Sequence, residues 1–189
     1  MILCYLRNMN KILIVFLVLC TMPALAKEIP PKVYIDKGAC PFECCTYRDW
    51  TARKEIQLVA KPGGEKRVAT LKKGETVKAL TGEVHVVPTP MDVVFEHGRF
   101  KVGDRVYLLT YEGEGFQKVW SNGVITSEEV VFAYNLGNDD KSCMKPSADC
   151  WGRVQGKQQS TWWVKVQLKS GNVGWTKEAD EFDNKDACG

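Results

Sequence analysis

Cysteine placement constrains this chain more than any other feature. Beyond residue 26 there are six: Cys40, Cys44 and Cys45 stand near the start, Cys143, Cys150 and Cys188 stand in the last quarter, and none lies between residues 46 and 142. An even number reads as a disulfide framework when a chain folds in an oxidising compartment. Bridges between clusters so placed tie the two ends of the fold together. A bond between the neighbours Cys44 and Cys45 is strained, whereas Cys143 with Cys150 closes a short loop around Lys145-Pro146-Ser147. The pairing expected is that local bond plus a link from Cys188 to the N-terminal cluster, each bridge stabilising by about 2–4 kcal/mol. Zinc is the sharper alternative, but recognisable zinc sites use two spaced pairs of Cys or His. Cys40-x3-Cys44-Cys45 has the wrong spacing, and His85 and His97 stand alone among β-patterned residues, so no metal and no haem site is expected.

The N-terminus supplies the compartment. Arg7 and Lys11 precede an apolar run from Ile12 to Cys20, followed by Pro23 and the small-residue triplet Ala24-Leu25-Ala26. That is the order of a secretory signal peptide, with cleavage expected after Ala26 and a periplasmic or extracellular destination. Met9-Asn10-Lys11 with the same run is by itself a compact signal, so Met9 is an alternative start to Met1. Lipid attachment at Cys20 is disfavoured, because Leu19 stands where lipoprotein signals carry a small residue. The run is about half of the roughly 20 residues that cross a bilayer, so the chain is not expected to span a membrane. With two basic and no acidic residues in the segment removed, the formal net charge falls from +3 to +1. That balance argues against nucleic acid or an anionic membrane as partner.

From Trp50 onward, short apolar-polar alternations separated by Gly, Pro and Asn replace the irregular, Cys-rich lead-in of residues 27–49. Period-two alternation buries one face of a strand and wets the other. Residues 56–60 break at Lys61-Pro62-Gly63-Gly64, residues 68–71 turn at Lys72-Lys73-Gly74, and residues 76–80 are expected to end at Thr81-Gly82. Residues 73–81 can be laid on residues 102–110 with Gly, an acid, Val, Leu and Thr in step, which reads as a repeated turn-and-strand unit. Residues 116–120 turn at Ser121-Asn122-Gly123 into residues 124–126, and Asn-Gly is a strong hairpin signal. Residues 127–160 read as an irregular region pinned by Cys143 and Cys150, in which Ser127-Glu128-Glu129-Val130 fits a short helix start or a strand equally. A last hairpin runs from Trp162 to Leu168, turns through residues 169–172 and returns over residues 173–176. Long helical periodicity is absent, so the class expected is all-β and disulfide-stapled.

Two stretches resemble the bacterial SH3-like (SH3b) domain family of exported proteins. Residues 56–64, continuing through Val68 to Leu80 with Leu71-Lys72-Lys73-Gly74-Glu75-Thr76-Val77, are similar to the family's opening strands and its L-x-x-G-x-x-V turn. Trp163-Val164-Lys165-Val166 with Gly171-Asn172-Val173-Gly174-Trp175 is similar to its closing W-x-K-V and G-x-x-G-W hairpin, the more specific of the two. About 80 residues separate Leu80 from Trp162, where the family has only a few. The resemblance therefore implies either two small barrels in tandem or one barrel with a large insertion. Two are favoured, the first covering residues 50–126, with 127–160 as the irregular region and 161–189 as closing hairpin and tail. It also implies a non-catalytic binding module of the cell envelope, with a peptide, peptidoglycan or an envelope protein as partner and no cofactor.

Chemistry-bearing motifs are sparse. There is no Gly-x-Ser-x-Gly elbow, no phosphate loop and no Cys-x-x-Cys pair, and the acids Glu112 and Glu114 flank Gly113 in what reads as a solvated turn. No catalytic residue is expected. Aromatics on β-patterned segments stand out instead: Trp50, Tyr107, Tyr111, Trp120, Trp162, Trp163 and Trp175. Neighbours on a strand point to opposite faces, so Trp162 and Trp163 cannot both be buried in a half-wet sheet. Trp163 and Trp175 are assigned to the interior, and Trp162, Tyr107, Tyr111 and Trp120 to a ligand-binding groove, since exposed Trp and Tyr give large rigid contact area with one polar handle. The alternative function is a secreted interaction or inhibitor protein docking on a partner enzyme through residues 135–160.

Overall fold

The computed structural model describes residues 28–130, 133–134, 143 and 145–188 of the chain. The expected leader and its cleavage site lie outside the described residues, as do 135–142 and 144 of the expected docking loop. In chain order the strands are β1 (Tyr34–Lys37), β2 (Asp49–Ala52), β3 (Ile56–Val59), β4 (Arg67–Leu71) and β5 (Thr76–Val87). Then follow β6 (Thr89–Val93), β7 (Arg105–Gly113), β8 (Phe116–Ser121), β9 (Val124–Glu129), β10 (Ala133–Tyr134) and β11 (Gly152–Val154). The chain closes with β12 (Gln159–Gln167), β13 (Val173–Thr176), a short 3-10 turn (Ala179–Glu181) and β14 (Phe182–Asp183). The fold is all-β and disulfide-stapled, as the alternation and the cysteines require. Among the described residues no helix is long and apolar enough to cross a membrane.

Two sheets result. One curls in the order β14-β2-β5-β12-β13-β3-β4 with β1 added on β5, and the other runs β10-β11-β6-β7-β8-β9. The first is assembled from both ends of the chain, because β5 and β12 form a long antiparallel ladder from Val87 opposite Gln159 to Lys78 opposite Gln167. Strands of the expected 50–126 unit are therefore divided: those up to residue 87 belong to the first sheet and those from residue 89 to the second. Each sheet has its own core. Trp50, Ile56, Leu58, Leu71, Val164 and Val166 are sealed in the first, and Met91, Val106, Leu108, Val119, Trp151 and Val154 in the second. Burying one such side chain stabilises by about 1.5–3 kcal/mol, which is why both alternations hold their register.

Gly82 does not end a strand. β5 continues through it to Val87, because at this point the glycine provides room rather than a turn: a Cβ would overlap the Tyr47 hydroxyl and Trp162 Nε1. Overpacking of this kind costs about 1–3 kcal/mol. Gly82→Ala is accordingly expected to lower stability by about 2 kcal/mol in urea unfolding, and an unchanged midpoint would contradict the close approach.

The repeated turn is real in three dimensions. Gly74 and Gly103 both have positive φ (81° and 94°), and the following acid caps the turn in each copy, Lys72 N donating to Glu75 Oε2 at 3.0 Å and Lys101 N to Asp104 Oδ2 at 2.8 Å. Each glycine also donates to a preceding strand, Gly74 to Ala52 O at 2.7 Å and Gly103 to Val93 O at 2.9 Å. Strands β5 and β7 thus open on the same local device. Asn122 and Gly123, both at positive φ, close the β8–β9 hairpin, and Ser127-Glu128-Glu129 lies on β9 as strand.

The bridges are Cys40–Cys45, Cys44–Cys188 and Cys143–Cys150, with Cα–Cα separations of 5.5, 5.6 and 5.6 Å. The local bond and the link from Cys188 to the N-terminal cluster are both present. The segment that carries the first two also joins the sheets. β1 pairs with β5, while Asp36 accepts from Lys118 Nζ of β8 through both carboxylate oxygens at 2.9 and 2.8 Å.

Candidate functional site

Strand parity decides which tryptophans reach the surface. On β12, Val164 and Val166 are fully buried, so Trp162 shares their inward face while Trp163 and Lys165 point outward. Hairpin and sheet registers then extend the outward face across the curled sheet. Trp175 lies opposite Lys165, Val59 opposite Trp175, and Arg67 opposite Val59. One row of side chains, Lys165-Trp175-Val59-Arg67, therefore crosses four strands. Trp163 sits beside it, opposite Glu83 of β5.

Trp163, Trp175, Val59 and Gln57 wall a concavity of about 320 Å³, closed by Gly63, Gly64 and residues 176–178. Both indoles are half-buried, with part of each ring open to solvent. Lys165 Nζ lies 5.8 Å from the centroid of the Trp175 ring, a cation–π arrangement. The rim is held in place by local bonds. Gly63 takes φ 68°, which turns the chain tightly after β3, and Gly64 N donates to Lys61 O at 3.0 Å. At the other end Glu178 N donates to Thr176 Oγ1 at 3.1 Å, and Lys54 Nζ lies 2.9 Å from Glu178 Oε2. The bond to Glu178 holds the Lys54 ammonium above the ordinary lysine value. The groove is thus pre-formed, apolar in the middle and charged at its ends, the general character of a ligand site.

Trp162, Tyr107, Tyr111 and Trp120 do not converge on one groove. Trp162 is half-buried beneath the cysteine-rich lead-in, its ring centroid 5.8 Å from both Phe42 and Trp50 and 6.4 Å from Tyr47. Its Nε1 donates to the Tyr47 hydroxyl at 3.4 Å, and that hydroxyl donates to Ala39 O at 2.5 Å. Burial pushes the Tyr47 phenol up, and the Trp162 bond offsets only part of this. The other three lie on the second sheet. Tyr107 and Trp120 form an edge-on pair at 5.5 Å with Trp120 buried, and exposed Tyr111 accepts from Gly115 N at 3.3 Å. Trp163 and Trp175, assigned to the interior, are the ones on the outer face. The signal was available: once Val164 and Val166 are inward, alternation forces Trp162 in and Trp163 out.

The remaining candidates have structural partners. His85 Nε2 lies 3.1 Å from Glu83, and His97 Nε2 lies 3.3 Å from Glu128. His97 also stacks on Trp151 at 4.3 Å, and Trp151, which sequence reasoning passed over, donates its Nε1 to Glu129 O at 2.9 Å. The Glu112 carboxylate accepts from Ser127 Oγ across the second sheet, and the Glu114 backbone N donates to Glu43 of the lead-in. Among the described residues, Cys44, Asp186 and Cys188 form a group compact enough to hold a metal ion, but both sulfurs are joined to each other and offer no thiolate.

No protein family, curated protein or solved structure matches this chain.

Proposed function

We propose that this chain is an exported, non-catalytic binding module of the cell envelope that holds an extended peptide in the groove between Trp163 and Trp175. The observation that carries the reading is the pair of partly open indoles on a pre-formed outer concavity whose walls bear no histidine, cysteine or serine. Rigid aromatic surface beside a few fixed polar groups binds by contact area. The carboxylate on the wall, Glu178, is tied to Lys54 and has no second acid on the wall beside it, where glycosyl transfer uses two. Three oxidised cysteine pairs and the signal-like N-terminus support export. Pairing of β12 with β5 supports one SH3-like barrel carrying residues 88–158 as its insertion. The peptide part of peptidoglycan is the ligand this reading favours.

Purified cell-wall sacculi should retain the chain in a pull-down. Trp163→Ala and Trp175→Ala should each reduce retention about tenfold or more while leaving the melting temperature unchanged, since neither ring belongs to the buried core. Trp162→Ala should instead lower stability. Retention that survives both outer substitutions removes the groove, and no retention of the wild-type chain favours a secreted protein docking on a partner enzyme.

A further inference from the structure

Charge around the groove carries the reading one step further, and this step rests on the binding-module proposal. Five basic side chains surround the indole pair: Lys61 and Lys66 in the turn after β3, Arg67 on β4, Lys165 on β12 and Lys177 after β13. Among the described residues none of the five lies within ion-pair distance of a carboxylate, whereas the neighbouring acids are engaged. Glu178 is held by Lys54, Glu83 by His85, and Glu55 accepts from Gln57 Nε2 at 3.3 Å. Glu65 in the same turn, and Glu55 and Glu83, whose bonds are to Gln57 and His85 rather than to Lys or Arg, offset part of the basic rim. Lys54, by contrast, is held by Glu178 at the rim of the groove. Lys165 and Arg67 thus stand at the two ends of the row that carries Trp175 and Val59, with no carboxylate partner of their own among the described residues.

We infer that the ligand is an acidic peptide, with carboxylates that meet Lys165 and Arg67 on either side of an apolar residue seated on Trp175 and Val59. Spacing sets the pattern. Lys165 and Arg67 are three strand steps apart in one row, which at about 4.8 Å per step is about 14 Å. An extended peptide rises about 3.4 Å per residue, so acids at i and i+4 span that distance, and residue i+2 faces the same side. Trp175 then meets the apolar residue, and the two cations meet the acids.

Calorimetric titration of the oxidised full chain with three end-blocked peptides tests this: Glu-Gly-Leu-Gly-Glu, Gln-Gly-Leu-Gly-Gln and Lys-Gly-Leu-Gly-Lys. The glutamate peptide should bind about tenfold tighter than the glutamine peptide, the lysine peptide should bind weakest, and the preference should shrink as salt rises. The double variant Arg67→Glu/Lys165→Glu should abolish the preference with no change in melting temperature. Equal binding of the glutamate and glutamine peptides, still lost in Trp175→Ala, overturns the acidic ligand and leaves the groove standing. Tighter binding of the lysine peptide, or of a peptide-free glycan strand, also overturns it. Loss of neither peptide binding nor sacculus retention in Trp175→Ala removes the groove itself.

Discussion

Replacing Cys44 and Cys188 together by serine is expected to cost about 5 kcal/mol, against about 2 kcal/mol for Cys143→Ser/Cys150→Ser. The difference follows from loop length, because the first bridge joins residues 144 apart and the second residues 7 apart. Closing a long loop removes more freedom from the unfolded chain, and a loss of about 5 kcal/mol approaches the whole stability of many domains. Local consequences should follow the same order. Cys44–Cys188 holds the lead-in that lays Phe42 and Tyr47 on Trp162, together with the bonds from Ala187 N to Cys44 O and from Thr46 N to Lys185 O. Without the bridge, amide exchange at residues 42–48 should accelerate before the β5–β12 ladder opens. Guanidinium unfolding of the two double variants measures the contrast. Equal losses, or a larger loss at Cys143–Cys150, would show that the bridge between the chain ends does not act by restricting the unfolded state.

How much of this was legible depended on whether the governing interaction was local. Strands β3, β4, β8, β9, β12 and β13 and the turns at Gly74, Gly103 and Asn122-Gly123 come from short-range alternation and glycine chemistry, and they lie where the pattern puts them. Gly82 misled because a glycine that admits the Tyr47 hydroxyl and Trp162 is spelled like one that ends a strand. Sheet membership was hidden for a related reason. The ladder from β5 to β12 joins residues that the sequence separates by the whole second sheet, and no local signal states it. Among the tryptophans the residue types were legible, and the facing was legible only through the neighbouring valines. Trp162 and Trp163 were known to oppose each other, but which of them faces outward depended on Val164 and Val166 being inward. Trp151 was missed because it stands outside any alternating run, and only the fold places it between His97 and Phe100.

Lys118→Met should destabilise by about 3 kcal/mol, and Asp36→Asn by only about 1 kcal/mol. The asymmetry comes from burial. Asp36 is 7% exposed, and without Lys118 its carboxylate is left buried with no cation. Lys118 without the Asp36 charge keeps a partly open ammonium that has Glu112 at 3.9 Å and solvent beside it. The double variant Asp36→Asn/Lys118→Met should recover most of the single lysine loss, because an unpaired buried charge costs more than an absent pair. Alkali provides an independent check. Burial pulls the Lys118 pKa down, but the hydrogen bonds and charge of Asp36, with Tyr34 and Glu112 nearby, outweigh it and hold the ammonium above its ordinary value of 10.5. A group raised on folding contributes its full stability below 10.5 and loses it as pH rises through the folded value. The gap in unfolding free energy between wild type and the double variant should therefore be flat from neutral pH to about 10 and narrow above it. Since β1 and β8 belong to different sheets, the same loss should free them to move against each other, seen as faster exchange along β1 with the core of neither sheet affected. Asp36→Asn costing as much as Lys118→Met, or a gap that widens in alkali, would mean that this pair does not couple the two sheets.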